Sequence, residues 1–271
     1  MKTFQTIIKY TALVFAITLI VVIFKLTIDS LLFVGNLFDK NPRVESLVER
    51  EITFDFNDYK NLDIQTMASR LTLKTGDRFS VTTNNKDITV QESKDTIIIN
   101  DNNRESIYFY NENLELIVVL PTNTTLDSIR IDTGAGKMLI EELNCKNATI
   151  NLGAGGLEVN KIDVTNEIKI SGGIGKITIH HGSLNNLEAD LGVGKLSAIL
   201  SLTGKNNINT GIGGLDLELL DSSTNYTFNI EKGIGDIELN EDSIQTGAYG
   251  NGLHTVDISG GIGEIEITTL D

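Results

Sequence analysis

The chain has 271 residues, with 37 acidic against 22 basic side chains and a net charge of −15. That length suffices for a sizeable core, and that charge excludes nucleic-acid binding through a basic surface. The single cysteine, Cys145, excludes an intrachain disulfide framework and any cysteine-based metal motif.

Tyr10 to Phe24 runs fifteen residues without a charge. A bilayer core asks for roughly 20 apolar residues. Ile7 and Ile8 before Lys9, and Leu26 and Ile28 after Lys25, extend the stretch once both lysines reach for the interface. No small-x-small cleavage site follows Phe24 and no cysteine lies near. Residues 1–28 therefore read as an uncleaved transmembrane signal anchor, not a cleaved or lipidated leader. Lys2, Lys9 and the amino group favour an inside N-terminus, against a modest counterweight from Lys25, Lys40 and Arg43. The expectation is a single-pass protein of the cell membrane with an extracytoplasmic C-terminal domain. Residues 29–49 read as a juxtamembrane linker.

From residue 50 the pattern turns to short strands. Glu51 to Phe56 alternates, and Leu62–Ile64, Leu71–Leu73, Phe79–Val81, Ile88–Val90 and Thr96–Ile99 follow between Asn/Asp/Gly/Lys turns. Leu114 to Leu120 is the strongest strand, and Pro121 ends it. Residues 50–126 read as irregular early coils that cap one end of a solenoid.

Residues 127–271 carry the repeat. A Gly-x-Gly step occurs seven times, at Gly134/Gly136, Gly153/Gly155, Gly173/Gly175, Gly192/Gly194, Gly211/Gly213, Gly233/Gly235 and Gly261/Gly263. Successive first glycines are 19, 20, 19, 19, 22 and 28 residues apart. A sustained period near twenty marks a solenoid. Two residues after each second glycine stand Met138, Leu157, Ile177, Leu196, Leu215, Ile237 and Ile265. Four residues after it stand Ile140, Val159, Ile179, Ala198, Leu217, Leu239 and Ile267. All fourteen are apolar and alternate with polar residues, the signature of a strand with one buried face. A second strand precedes each step, as in Ile168/Ile170 and Leu187/Ala189/Leu191. The middle residue of each step is Ala, Ile or Val and is expected to point inward. The glycines are expected at positive φ where the chain turns. The expected fold is all-β: a single-stranded parallel β-helix of about 20 residues per coil, behind one transmembrane helix. An antiparallel sandwich with glycine turns is the alternative.

Sharper readings of the glycines fail on spacing. A P-loop needs Ser or Thr after Gly-Lys, where Ile177 and Leu196 stand. A dinucleotide fingerprint needs a third glycine and a helix. A calcium β-roll needs an aspartate where Ile177 stands. Cys145 reads as a structural thiol in a loop between strands. His180 and His181 are adjacent, so on a strand they face opposite ways and cannot share a metal. They read as surface residues at a coil corner, and no metal or cofactor is expected.

The segment Leu120-Pro121 to Leu126, the run Ile129-Arg130-Ile131-Asp132-Thr133-Gly134-Ala135-Gly136, and the recurring glycine steps resemble a bacterial β-strand-repeat family of unknown function, labelled putative adhesin and grouped with the toastrack domains. The resemblance covers roughly residues 50 to 271. It implies an extracytoplasmic, often membrane-tethered β-helix, with some relatives coupled to envelope-stress sensors. It carries over no catalytic or ligand residue.

The expected function is that of a non-enzymatic, membrane-anchored scaffold for binding or adhesion at the cell envelope. Its partner would be an envelope protein or a wall polymer. A regulatory subunit sensing envelope stress with a membrane partner is the first alternative. A carbohydrate-active β-helix enzyme is the second, disfavoured by the few aromatics of the repeats, Tyr226, Phe228 and Tyr249. The position after each second glycine reads Lys137, Gly156, Lys176, Lys195, Gly214, Asp236, Glu264, so its sign reverses along the chain. From Asp216 onward twelve acidic residues face the single Lys232. Asp216, Glu238 and Glu266 are expected in one outward row, about 5 Å apart where like charges repel. Nothing after Ile267 reads as a cap, and residues 241–252 are expected to bulge out. The acids then either discourage pairing at an open edge or dock a cation or a basic partner.

Overall fold

The computed structural model describes residues 49–53, 59–102 and 114–270. The stretch expected to cross a membrane lies outside them. Among the described residues no helix is long and apolar enough to do so.

The period-two pattern becomes stacked parallel strands. Leu196 lies opposite Ile177 on one side and Leu215 on the other, and Ala198 opposite Ile179 and Leu217. Thirteen of the fourteen aligned apolar residues are buried, while Leu239 packs part-exposed against the core. Each fully buried Leu or Ile contributes about 1.5–3 kcal/mol. Among the described residues all strands join one sheet wound into coils, and Leu126–Ile179 passes through three glycine steps without leaving the ladder.

Each regular coil has a third strand that the sequence reading did not separate. Gly182–Asn185 pairs in parallel with residues 162–164 and with residues 201–203. Its inward row includes Val164, Leu184 and Leu202. Cys145 belongs to this third strand, within Leu126–Ile179, and is buried. It is a core residue in a strand, not a loop residue.

The order of coils in space differs from their order in the chain at both ends. Asn61–Thr66 and Arg70–Gly76 stack directly on the first glycine coil, Leu62 opposite Ile129 and Leu71 opposite Met138. The later strands Thr96–Asp101 and Glu115–Pro121 lie outside them. At the other end, His254–Ile262 inserts between Lys205–Leu219 and Tyr226–Ile234. The last coil in sequence is therefore the last but one in space.

Both outer coils are closed by antiparallel strands. Ile88–Ser93 covers Thr96–Asp101, and Ser80–Thr83 covers Glu115–Pro121. Asp242–Ser243 folds back on Ile237–Leu239, and Gly247–Gly250 on Tyr226–Ile234. Asn240 and Glu241 join the first of these pairs with φ of 51° and 67°, a two-residue turn whose twist suits a hairpin. The expected bulge is thus a cap, and the expected open edge is covered. Two-sided ladders leave few unpaired backbone groups for another chain to engage.

Only the second glycine of each step has positive φ, from 127° at Gly235 to 152° at Gly194. The first glycine is needed for a different reason. A Cβ on Gly173 would lie 2.2 Å from the carbonyl oxygen of Gly153 in the next coil. At Gly175 both constraints meet, since a Cβ there would lie 1.5 Å from the Gly155 carbonyl oxygen. Gly175→Val or Gly194→Val should therefore destabilise the fold by about 3 kcal/mol or more. Exposed Lys176→Ala should change it by less than about 0.5 kcal/mol. Urea unfolding of the three variants checks this, and equal effects at the glycine and lysine sites would refute the corner geometry.

Candidate functional surface

The glycine corner turns outward what the sequence placed inward. Ile174, Val193, Ile212, Ile262 and Ile234 are 52, 45, 53, 41 and 63% exposed. The reason is a slip in the alternation. Inward residues are odd-numbered before the step (Leu187, Ala189, Leu191) and even-numbered after it (Leu196, Ala198, Leu200). One residue must leave the alternation between Leu191 and Leu196, and the turn at Gly194 puts Val193 at the convex apex. That parity change was legible in the sequence.

The apex residues stack in register, Ile174 against Val193, Val193 against Ile212, Ile212 against Ile262 and Ile262 against Ile234. At the ~4.8 Å spacing of paired strands they form an apolar ridge about 19 Å long. The stacking of Gly173 on Gly153 and of Gly153 on Gly134 continues the ridge as Ala154 and Ala135.

Beside the corner, on the face before the glycine steps, lies an open groove of about 580 Å³. Asp101, Asp132, Asn151, Ser171 and Asp190 line it over a floor that includes Gly134, Gly153 and Gly173. Asp132, Asn151, Ser171 and Asp190 stand two positions before successive first glycines, so the coil spacing sets their spacing. Asn151 Nδ2 donates to Asp132 Oδ1, and Asn209 Nδ2 donates to Asp190 Oδ1 at 2.6 Å. Asp101 Oδ2 accepts from Asn85 Nδ2 at 3.1 Å. Asp132 Oδ2 also accepts from Arg130 Nε at 2.7 Å, so these contacts hold the groove carboxylates in place.

The three acids of the C-terminal coils do share a row, in a different order. Glu266 is the middle member, opposite Asp216 and opposite Glu238. Asp216 also receives Ser197 Oγ at 3.2 Å and Lys195 Nζ at 3.4 Å. Lys161 and Lys169 match opposite charges on neighbouring coils, Lys161 with Glu142 at 3.1 Å and Lys169 with Glu188 at 2.9 Å. Among the described residues no cluster of three His, Cys, Asp or Glu is placed to hold a metal ion. Because Glu266 faces a like charge on both sides, Glu266→Gln should stabilise the fold by about 0.2–1 kcal/mol at low salt. The gain should shrink at molar salt, where the screening length falls to about 3 Å. Thermal melts at both salt levels measure it, and a loss of stability at low salt would contradict the repulsive row.

His180 and His181 sit at an exposed bend, as the corner reading expected. His180 Nε2 lies 3.1 Å from Glu158 Oε1. His254 Nδ1 accepts from the Gly204 N–H at 3.2 Å, and its ring lies 6.2 Å from Tyr226. Both of these histidines link neighbouring coils.

Two buried groups are shifted. Burial pushes the Cys145 thiol from 9.0 up to about 12. Burial also pushes the Tyr226 phenol from 10.0 up to about 12, and its hydroxyl donates to Asp221 Oδ2 at 3.0 Å. A raised folded value favours the folded state fully below the unfolded value and loses that contribution as pH rises toward the folded one. Stability should accordingly fall between pH 9.0 and about 12. Cys145→Ala should delay the onset toward pH 10.0, where the tyrosine contribution begins. Urea unfolding across this range, each variant referred to its own neutral-pH stability, checks the sign.

The stacked parallel coils, edge-capped at both ends, define an all-β solenoid-like protein. The chain belongs to the Toastrack DUF4097 family, whose model matches residues 59–248. Three solved structures are similar to it. A putative cell adhesion protein from Clostridium sporogenes is 16% identical, with a TM-score of 0.39, over 82% of this chain and 99% of that one. A putative adhesin from Bacteroides fragilis is 12% identical, with a TM-score of 0.34, over 82% and 97%. A putative lipid binding protein from Parabacteroides distasonis is 12% identical, with a TM-score of 0.24, over 83% and 96%. No curated protein matches the chain.

Proposed function

We propose that this protein is a non-catalytic scaffold of the cell envelope, held at the membrane by the segment Tyr10 to Phe24 and presenting residues 50–271 on the outer side. The groove beside the glycine corner carries the reading. It is open, crosses several coils, and repeats polar groups at the spacing of the coils. A repeating row of hydrogen-bonding groups suits an extended polymer that also repeats. While Asp132 is ion-paired with Arg130 at 2.7 Å, Asp101 and Asp190 give the groove a negative field. It therefore suits an uncharged or amine-bearing wall glycan over a phosphate-bearing polymer.

The full chain in detergent should sediment with isolated cell-wall material. Asp132→Ala combined with Asp190→Ala should lower the bound fraction several-fold while leaving the melting temperature within a few degrees. Binding unchanged by both substitutions would reject the groove. Protease added to intact, wall-stripped cells should reach residues 50–271. Protection until lysis would reverse the orientation.

A further inference from the structure

The apolar ridge needs an occupant, and the charges beside it specify one. In spatial order, the residue following each second glycine is Lys176, Lys195, Gly214, Glu264 and Asp236, for the coils whose apex residues are Ile174, Val193, Ile212, Ile262 and Ile234. The four charged ones are exposed. The flank is therefore basic at one end, uncharged in the middle and acidic at the other. Insertion of the last coil before the outermost one exchanges Glu264 with Asp236 and leaves this charge order as it runs in the chain.

We propose that the ridge docks on the same ridge of a second copy of this chain, antiparallel, about a two-fold axis through the coil of Ile212 and Gly214. An axis perpendicular to the ridge reverses its direction and keeps the same flank on the same side. Ile174 then meets Ile234 of the second copy, Val193 meets Ile262, and Ile212 meets itself. On the flank, Lys176 meets Asp236 of the second copy and Lys195 meets Glu264. Gly214, on the axis, is where a charged residue would face its own copy, and it carries no charge. Moving the axis by half a coil would set Lys195 against Gly214 and lose this match. A closed two-fold contact of this kind is self-complementary by construction.

Existing contacts leave room for the new ones. Lys176 has no ion pair among the described residues, and Lys195 shares only Asp216, at 3.4 Å. Lys232 Nζ donates to the Asp236 backbone carbonyl oxygen and forms no ion pair with either acid among the described residues. A lipid bilayer fits the ridge less well, because anionic headgroups would repel Glu264 and Asp236. The contact is narrow beside the roughly 800 Å² per partner of a standard interface, so the dimer forms reversibly and depends on concentration.

Cysteine cross-linking of the full chain in detergent reads the register directly, because native Cys145 is buried. Ile212→Cys should form a disulfide-linked dimer under mild oxidation. Ile174→Cys alone should not, since its two copies would lie about 19 Å apart, but mixed with Ile234→Cys it should link. Lys195→Glu should lower the Ile212→Cys yield by about tenfold through like-charge contact. Glu264→Lys in the same chain should restore it, because these two residues lie two coils apart within one copy. The proposal fails if Ile174→Cys links to itself as readily as Ile212→Cys, if Ile212→Cys stays monomeric, or if the charge reversal gives no rescue. Wall-material binding serves as an independent readout, since the groove lies off the ridge.

Discussion

At every glycine corner the backbone carbonyl of one coil occupies the space that a side chain would need in the next. A Cβ would come within 1.4–1.8 Å of a carbonyl oxygen at Gly155, Gly175, Gly194, Gly213, Gly235 and Gly263. Only glycine permits that approach, and the approach fixes the register of stacked coils to the residue. Once the corners are aligned, Ile177, Leu196 and Leu215 must face one another, and so must the rows around them. The core is thus a consequence of corner alignment as much as of hydrophobicity. A slip of one residue would turn every Ile and Leu of a strand to solvent.

The same register writes the outer surface. Every exposed position becomes a row running along the solenoid, so side chains twenty residues apart in sequence become nearest neighbours. Some rows pair donors with acceptors or cations with anions, as Asn209–Asp190 and Lys161–Glu142 do. Others set like charges side by side, as Asp216, Glu266 and Glu238 do and as Lys176 and Lys195 do. Their repulsion is a local cost within the stack. Exposed pairs each contribute little, so the outer rows tune the surface and leave stability to the interior.

The ends obey a separate logic. A parallel stack leaves an unpaired ladder at each end, and both ends are solved alike. The chain lays down the penultimate coil first or last and turns the intervening segment into antiparallel strands over the outer coil. At the C-terminal end this buries Phe228 and Tyr226, the largest side chains there, beneath Gly247–Gly250. Insertion of the last coil also decides which apex residue, Ile262 or Ile234, neighbours Ile212 on the ridge.

Strand period, the repeat and the positions of the corners were all legible in the sequence, because each depends on local spacing. Alternating apolar residues can bury one face only as strands, and paired glycines recurring near every twentieth residue can align only by stacking. The outward turn of Ile174 and its counterparts was also written there, in the parity change of the inward positions across each glycine step, though side-chain polarity alone argued the other way. The third strand of each coil was hidden because its inward row is short and broken by Gly182. The order of the end coils could not be read at all. Residues 254–269 and 226–239 carry nearly the same inward pattern, so either could stack on Lys205–Leu219 by local rules. Tertiary packing decided between them, since only the coil of residues 226–239 leads into the turn at Asn240–Glu241 that covers its own outer edge.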